Sequence, residues 1–169
     1  MLRTGLAILT ILLAMPAAQA ETLAQMLKGK GGNSCWQRVY SAPELAAHPK
    51  QRVASIRLIS EVQEDGSLAA SLDLNFRVRT HTWKYDYDIS GFCKAHGQGL
   101  LCQPEWDAGT FVLEKGARNG LRVRNQKLIV NPSNFDSEEV APGAVDMSKS
   151  DDAVWLLFAA KDDASCSAN

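Results

Sequence analysis

One stretch of the sequence has the residue types and spacing of a metal site. Residues 86–91 (DYDISG) place oxygen ligands at alternate positions and a glycine at the sixth, as in the first half of a calcium-binding loop. The second half does not follow, because Gly97 stands where that loop requires a bidentate Glu. The same alternation suits the solvated face of a β-strand, which is the simpler interpretation. We predict no metal site and no cofactor.

Residues that could act in catalysis are present but are not spaced for it. The histidines show no zinc-like spacing, and no Gly-x-Ser-x-Gly motif places a serine at a nucleophile turn. Acidic pairs occur in polar turns and loops, where solvation by water is the expected state. The histidines are His48, His81 and His96, and the acidic pairs are Glu64/Asp65, Glu138/Glu139 and Asp151/Asp152. We therefore predict that the protein is not an enzyme.

A group of aromatic residues is the more informative candidate site. Trp83, Tyr85 and Tyr87 alternate with polar residues, a period that places them on one face of a β-strand. Phe76 belongs to the alternating apolar set of the preceding strand. Aromatic rings that carry a hydroxyl or an indole N–H could orient a small ligand. The same residues could also fill a packed core, so both interpretations remain open.

The four cysteines indicate the redox compartment and part of the architecture. A hairpin that turns through residues 96–99 sets Cys93 opposite Cys102. Opposed strand residues have Cβ atoms about 4.5–5.5 Å apart, close to the separation that a disulfide needs. This predicts a Cys93–Cys102 bond and leaves Cys35 to pair with Cys166, which would join the two ends of the domain.

Residues 1–20 have the pattern of a signal peptide. Arg3 precedes an apolar run over residues 6–15, and Ala18-Gln19-Ala20 (residues 18–20) matches the small-x-small pattern that signal peptidase cleaves. We expect cleavage to leave one domain over residues 21–169, periplasmic or secreted, in a Gram-negative bacterium. No later apolar run approaches the roughly 20 residues that span a bilayer. The formal net charge of −1 gives no field that favours nucleic acid, so we expect neither membrane insertion nor nucleic-acid binding.

Short helices are expected to precede a series of strands. Thr22 with Gln25, and Ser41 with Glu44, have the spacing of capping boxes, which predicts helices over residues 21–28 and 42–47. Alternation of apolar and polar residues then predicts strands over residues 52–63, 68–80, 83–93, 100–103, 110–114, 121–124, 127–131 and 153–160. Residues 132–152 show no pattern, which indicates a lid, a functional loop or an unrecognised element.

The last predicted strand is apolar on both faces, so its outer side needs cover. The face of the first helix formed by Leu23, Met26 and Leu27 could supply it. Arginines instead mark the polar faces of two other strands: Arg77, Arg79, Arg122 and Arg124. Such a basic stripe is either a solvated face or a surface for an anionic partner.

Eight short strands joined mainly by hairpins indicate an all-β fold, an antiparallel up-and-down meander that closes into a barrel and so removes its exposed edges. A flattened β-sandwich is the alternative. A leading helix, an up-and-down barrel and a bond from one terminus to the wall together resemble the calycin or lipocalin architecture. The chain also resembles small secreted proteins of proteobacteria. An eight-stranded barrel is wide enough either to fill itself with side chains or to hold one small ligand.

These observations lead to two functional hypotheses. The first is an exported, non-enzymatic binding module for a small apolar or amphipathic ligand, with its site at the barrel mouth near Trp83, Tyr85, Tyr87 and Phe76. The alternative is a packed barrel that acts through its outer surface as a protein-interaction or inhibitor-like module. The partner is then an unidentified small ligand in the first case and a protein in the second.

Overall fold

The structure, a computed structural model, describes residues 23–29, 33–78, 81–104, 108–130 and 145–161; within these ranges it leaves undescribed the side chains of residues 33, 75–78, 81–88 and 145. The predicted signal peptide over residues 1–20 lies outside the described residues, as does Cys166.

The described residues form short helices followed by strands. Residues 23–28 are helical (α1) and Ala42–Ala47 form α2. The strands are β1 (Asn33–Val39), β2 (Val53–Val62), β3 (Leu68–Val78), β4 (His81–His96), β5 (Gly99–Pro104), β6 (Phe111–Lys115), β7 (Leu121–Asn125), β8 (Ile129–Val130), β9 (Val145–Asp146) and β10 (Val154–Ala159). Residues 117–119 and 147–149 make single 3₁₀ turns.

Eight of these strands close into an antiparallel barrel in the order β1-β10-β7-β6-β5-β4-β3-β2. Chain neighbours are barrel neighbours throughout, except that β10 follows β7 and then pairs with β1 to close the ring. This confirms the all-β barrel and makes the sandwich alternative wrong. Inward-facing side chains such as Leu58, Leu72, Leu113 and Leu157 are all 0% exposed and form the core.

The barrel has the predicted number of strands, but one of them was predicted wrongly. The strand predicted over residues 127–131 is present as β8, which does not enter the wall but pairs with β9 in a separate two-stranded sheet. Their alternation is real, because Leu128 and Val130 are buried and Ile129 is 42% exposed. The missing wall strand is β1, which pairs with β2 along its whole length.

The β4–β5 hairpin has the predicted register. Ala95 pairs with Leu100, Lys94 with Leu101, and Cys93 with Cys102. Cys93 and Cys102 form a disulfide with their Cα atoms 4.0 Å apart, as predicted. Cys35 is also disulfide-bonded; Cys166, its predicted partner, lies outside the described residues, so that pairing stays a prediction.

The two helices differ in how well the sequence predicted them. Ser41 and Glu44 form the expected capping box at the start of α2. In α1, Leu23 and Leu27 belong to the barrel core and are 3% and 0% exposed. The expectation that this helix covers the outer side of β10 is therefore wrong, and Val154 on that side is 47% exposed.

α1 lies against one end of the barrel, which we call the helix end. Successive antiparallel strands reverse direction, so the turns at residues 63–67, 97–98 and 116–120 all lie at this end. The opposite end, which we call the far end, holds the end of β3, the start of β4 and the start of β10.

Candidate functional site

The predicted aromatic site lies on the β3–β4 hairpin. Phe76 is paired with Tyr85, and Tyr87 is paired with Leu74, so the backbone brings three of the four candidates to neighbouring strand positions toward the far end. Trp83 lies near the start of β4. The side chains of Phe76, Trp83, Tyr85 and Tyr87 are outside the described residues, and the aromatic site stays a prediction.

The described interior of the barrel is filled by large side chains. Trp155 and Phe111 are each 0% exposed and are among the largest fully buried residues. Leu128, Val130 and Met147, which precede β10, join the same core cluster. Close packing of this kind is the normal state of a protein interior; the side chains of residues 75–78 and 81–88 are not described, so a fully packed barrel stays a prediction.

Asp152 has a structural position that the sequence did not reveal. It is 0% exposed, although solvation was predicted for this acidic pair. Its carboxylate accepts hydrogen bonds from the backbone N–H groups of Arg52 (2.8 Å) and Val53 (3.1 Å). Ser150 Oγ (3.1 Å) and Trp155 Nε1 (3.5 Å) also donate to it. The carboxylate therefore ties the start of β2 to the start of β10.

Asn125, at the end of β7, has a buried side-chain oxygen to which no described residue donates a hydrogen bond. The residue is 5% exposed, and its Nδ2 donates to the backbone carbonyl of Asp152. Its Oδ1 accepts no hydrogen bond from the residues that the structure describes. An acceptor of this kind is usually satisfied by a buried water molecule, which makes it a weak indication of a ligand.

The helix end carries a small polar network that anchors α1. The backbone carbonyl of Leu27 accepts hydrogen bonds from Ser34 Oγ (2.8 Å) and Ser60 Oγ (2.6 Å). The two hydroxyls also lie 2.7 Å apart, and Trp36 Nε1 donates to Ser34 Oγ at 3.0 Å. Since the last carbonyls of a helix have no partner within the helix, this network fixes α1 on the barrel.

A groove of about 500 Å³ opens beside α1 at the helix end. Small-molecule sites occupy about 300–1,000 Å³, so the groove is large enough for one small ligand. One side is apolar and belongs to α1, and the other combines polar side chains from two turns with the adjacent strands. The lining residues are Leu23, Met26, Gln98, Glu114, Lys115, Gly116 and Arg122. We call this the helix-end groove.

The charges in the groove centre on Glu114. Its Oε2 lies 2.6 Å from Arg122 Nη2, and its Oε1 lies 2.8 Å from Arg124 Nη2. Partial burial acts to raise the pKa of Glu114, but the hydrogen bond from Arg124 and the charges of Arg122 and Arg124 outweigh it and hold the pKa below its ordinary value. Glu114 is therefore ionised and neutralised by two guanidinium groups.

Replacing Glu114 by Gln should make the stability of the protein less dependent on pH. A depressed folded-state pKa means that the ionised carboxylate stabilises the fold above the unfolded-state value of 4.5, and that this contribution disappears as the pH falls through the folded-state pKa. At pH 7 we expect Glu114→Gln to cost about 0.5–1 kcal/mol, because the arginines are half exposed. Urea unfolding from pH 7 to pH 3 should show the difference from wild type shrinking. The exposed Glu64→Gln is the control, and a loss that stays constant with pH would contradict the expectation.

The other predicted polar candidates do not converge on a site. His48 and His96 are exposed, whereas the side chain of His81 is not described. Arg122 and Arg124 pair with Glu114, while Arg77 and Arg79 have no described side chains. Within the described ranges, no cluster of three or more His, Cys, Asp or Glu side chains is placed to hold a metal ion.

The fold and its groove define a small disulfide-bonded antiparallel β-barrel with a helix seated on one end. No helix in the described part of the chain has both the length and the apolar character needed to cross a membrane. Comparison with known proteins found no matching family model, no similar curated protein and no similar solved structure. Function therefore has to be inferred from the geometry of the chain itself.

Proposed function

We propose that the protein is a periplasmic or secreted, non-enzymatic binding module for a small amphipathic ligand, and that the helix-end groove holds this ligand. The observation that carries the proposal is the mixed lining of the groove, with Leu23 and Met26 on one side and Gln98, Lys115 and Arg122 on the other. Ligand sites typically combine an apolar surface with a few polar groups in this way. The Cys93–Cys102 bond supports an exported location, because disulfides persist mainly in oxidising compartments.

Native mass spectrometry of protein purified from the periplasm without denaturation tests the proposal. We expect a mass above that of the polypeptide with two disulfides, and we expect the excess to disappear when the protein is unfolded. Met26→Glu, which places a charge on the apolar side of the groove, should release the excess mass. Loss of the excess mass in the exposed control Gln126→Glu as well would count against the groove as the site.

The aromatic candidates offer a second location for the same function at the far end. The pairing of Phe76 with Tyr85 favours it, because it brings two of the aromatic candidates to neighbouring positions on β3 and β4. We expect the ligand affinity of the double variant Tyr85→Phe/Tyr87→Phe to lie within about twofold of the wild-type value, since the groove lies at the opposite end of the barrel. Isothermal titration with the ligand released in the mass experiment measures this. A tenfold loss would move the site to the barrel mouth.

A protein-interaction or inhibitor-like module is the second candidate function. The large buried side chains of the described interior favour it, as do exposed apolar side chains on the outer surface, with Phe92 56% and Val154 47% exposed. A bare polypeptide in native mass spectrometry would support this candidate. Cross-linking in periplasmic extract should then capture a protein partner with wild type and fail with Phe92→Lys or Val154→Lys.

A further inference from the structure

We propose that the helix-end groove selects a ligand with an anionic head group on an unbranched alkyl tail, that is, an alkyl carboxylate. This inference rests on the proposed function and names its ligand class. The charges around the groove determine the head group, and the anchored helix determines the tail.

The polar side of the groove carries more positive charge than its one carboxylate neutralises. Glu114, its one carboxylate, already pairs with Arg122 and with Arg124, and Arg124 lies outside the lining. Arg122 is 51% exposed and keeps further N–H donors, because a guanidinium carries five. Lys115 is exposed and forms no ion pair with the described residues. A second anion therefore meets two cations and a carboxylate that already forms two ion pairs. Glu114 Oε2 itself accepts no hydrogen bond from the described residues.

The apolar side of the groove is held in place. Leu23 is 3% exposed and belongs to the barrel core, and Met26 packs against that core. The serine hydroxyls of Ser34 and Ser60 fix the carbonyl of Leu27 one residue after Met26. Methionine is flexible and adapts to the shape of a neighbouring chain, which suits an unbranched alkyl tail of variable length.

The opposite wall is equally constrained. A Cβ atom at Gly116 would lie 2.5 Å from Leu156 Cδ1, so the turn after β6 packs closely on a side chain of β10. Gln98 lies in the tight turn of the disulfide-bonded β4–β5 hairpin. Because both walls are preformed, ordering them on binding should cost little free energy. The affinity of a ligand should therefore follow the apolar surface that it buries.

Isothermal titration with n-alkyl carboxylates from hexanoate to dodecanoate, kept below their micelle concentrations, tests the inference. Affinity should rise about fourfold per added methylene until the tail exceeds the groove. Alkyltrimethylammonium ions of equal length should bind at least about tenfold more weakly, because they meet Lys115 and Arg122 with the wrong charge. Raising the salt concentration should weaken carboxylate binding, since the head-group contacts are partly exposed.

Charge reversal at the groove provides the matched test. Lys115→Glu should lower decanoate affinity at least about tenfold, and Lys115→Gln should lower it less. The control Lys127→Glu reverses another exposed lysine, in the turn after β7 at the far end, and should leave affinity within about twofold. Circular dichroism melts establish that each variant is folded, so that a loss of binding reports the groove.

The outcomes separate this inference from the function on which it rests. If decanol or a decyl ammonium ion binds as tightly as decanoate and Met26→Glu abolishes that binding, the groove is a ligand site but the anionic head group is wrong. If decanoate binds and Lys115→Glu has no effect, the inference is also wrong. If none of these probes binds and native mass spectrometry shows a bare polypeptide, both the inference and the proposed function fall.

Discussion

Asp152→Ala is expected to lower the free energy of unfolding by about 4 kcal/mol. The carboxylate is fully buried and receives the backbone N–H groups of Arg52 and Val53, the hydroxyl of Ser150 and the indole N–H of Trp155. Its removal leaves the buried donors of Val53 and Trp155 without an acceptor, which costs more than the loss of the bonds themselves. Urea or guanidinium unfolding followed by tryptophan fluorescence measures the change.

Two variants make this prediction specific. Asp151 is the neighbouring carboxylate, but it is exposed and accepts one hydrogen bond, from the Lys50 backbone N–H at 3.2 Å. Asp151→Ala should therefore cost less than about 0.5 kcal/mol. Asp152→Asn keeps one acceptor oxygen and turns an amide donor toward other donors, so its cost should fall between the two. Equal effects of Asp151→Ala and Asp152→Ala would show that the buried network does not stabilise the fold.

The contrast between these two aspartates shows which kind of burial cannot be predicted from the sequence. Both were assigned to a solvated acidic pair because the surrounding residues are polar and no strand pattern covers residues 132–152. The burial of Asp152 depends on backbone donors at residues 52 and 53, which are about 100 positions away along the chain. A local pattern carries no information about such a distant partner, so the sequence could not separate the two residues.

The hairpins, in contrast, were predictable because the residues that determine them are close together in the sequence. In β3, Ala70, Leu72 and Leu74 alternate with polar residues and are all buried, because one face of that strand packs on the core. In β4 and β5 the Gly97-Gln98 turn fixes the register, and with it the pairing of Cys93 with Cys102. Where the core face of a strand is apolar and the turn is short, residues that are neighbours in sequence are enough to predict the strand and its register.

The sequence analysis did not predict β1, because the inward-facing positions of this strand are not all apolar. Trp36 is buried, but the preceding inward position is Ser34, which is polar. Ser34 lies inside because its hydroxyl and that of Ser60 bind the carbonyl of Leu27 in α1. The network replaces apolar packing with hydrogen bonds to a helix terminus, so the strand has no period-two signal although it closes the barrel.

The helix-end groove could not be predicted for a related reason. Its lining comes from α1, from the β4–β5 turn and from the β6–β7 hairpin, which are widely separated along the chain. Each lining residue alone is typical of a helix face, a turn or a strand exterior. The aromatic candidates, in contrast, were found because they stand close together in sequence, and that proximity does not by itself create a binding volume.

Removing the Cys93–Cys102 bond is expected to lower the free energy of unfolding by about 3 kcal/mol. The bond joins residues nine positions apart, and opening so short a loop restores conformational freedom to the unfolded chain. Cys102 is fully buried, so the double variant Cys93→Ala/Cys102→Ala also leaves a small cavity beside the core. Denaturant unfolding should show a lower midpoint and a steeper slope, because the unfolded state becomes more expanded.

The same double variant also tests how the barrel supports the groove. The disulfide closes the β4–β5 hairpin whose turn carries Gln98, so its loss should loosen one wall of the groove while α1, held by Ser34 and Ser60, keeps the other. Decanoate affinity should then fall about threefold to tenfold at a temperature where the variant is still folded, because the ligand now has to order that wall. Single replacement of Gln98 by Ala provides the comparison, since it removes the amide and leaves the hairpin bonded. A loss of stability without any loss of affinity would place the binding determinants on α1 and the β6–β7 hairpin alone.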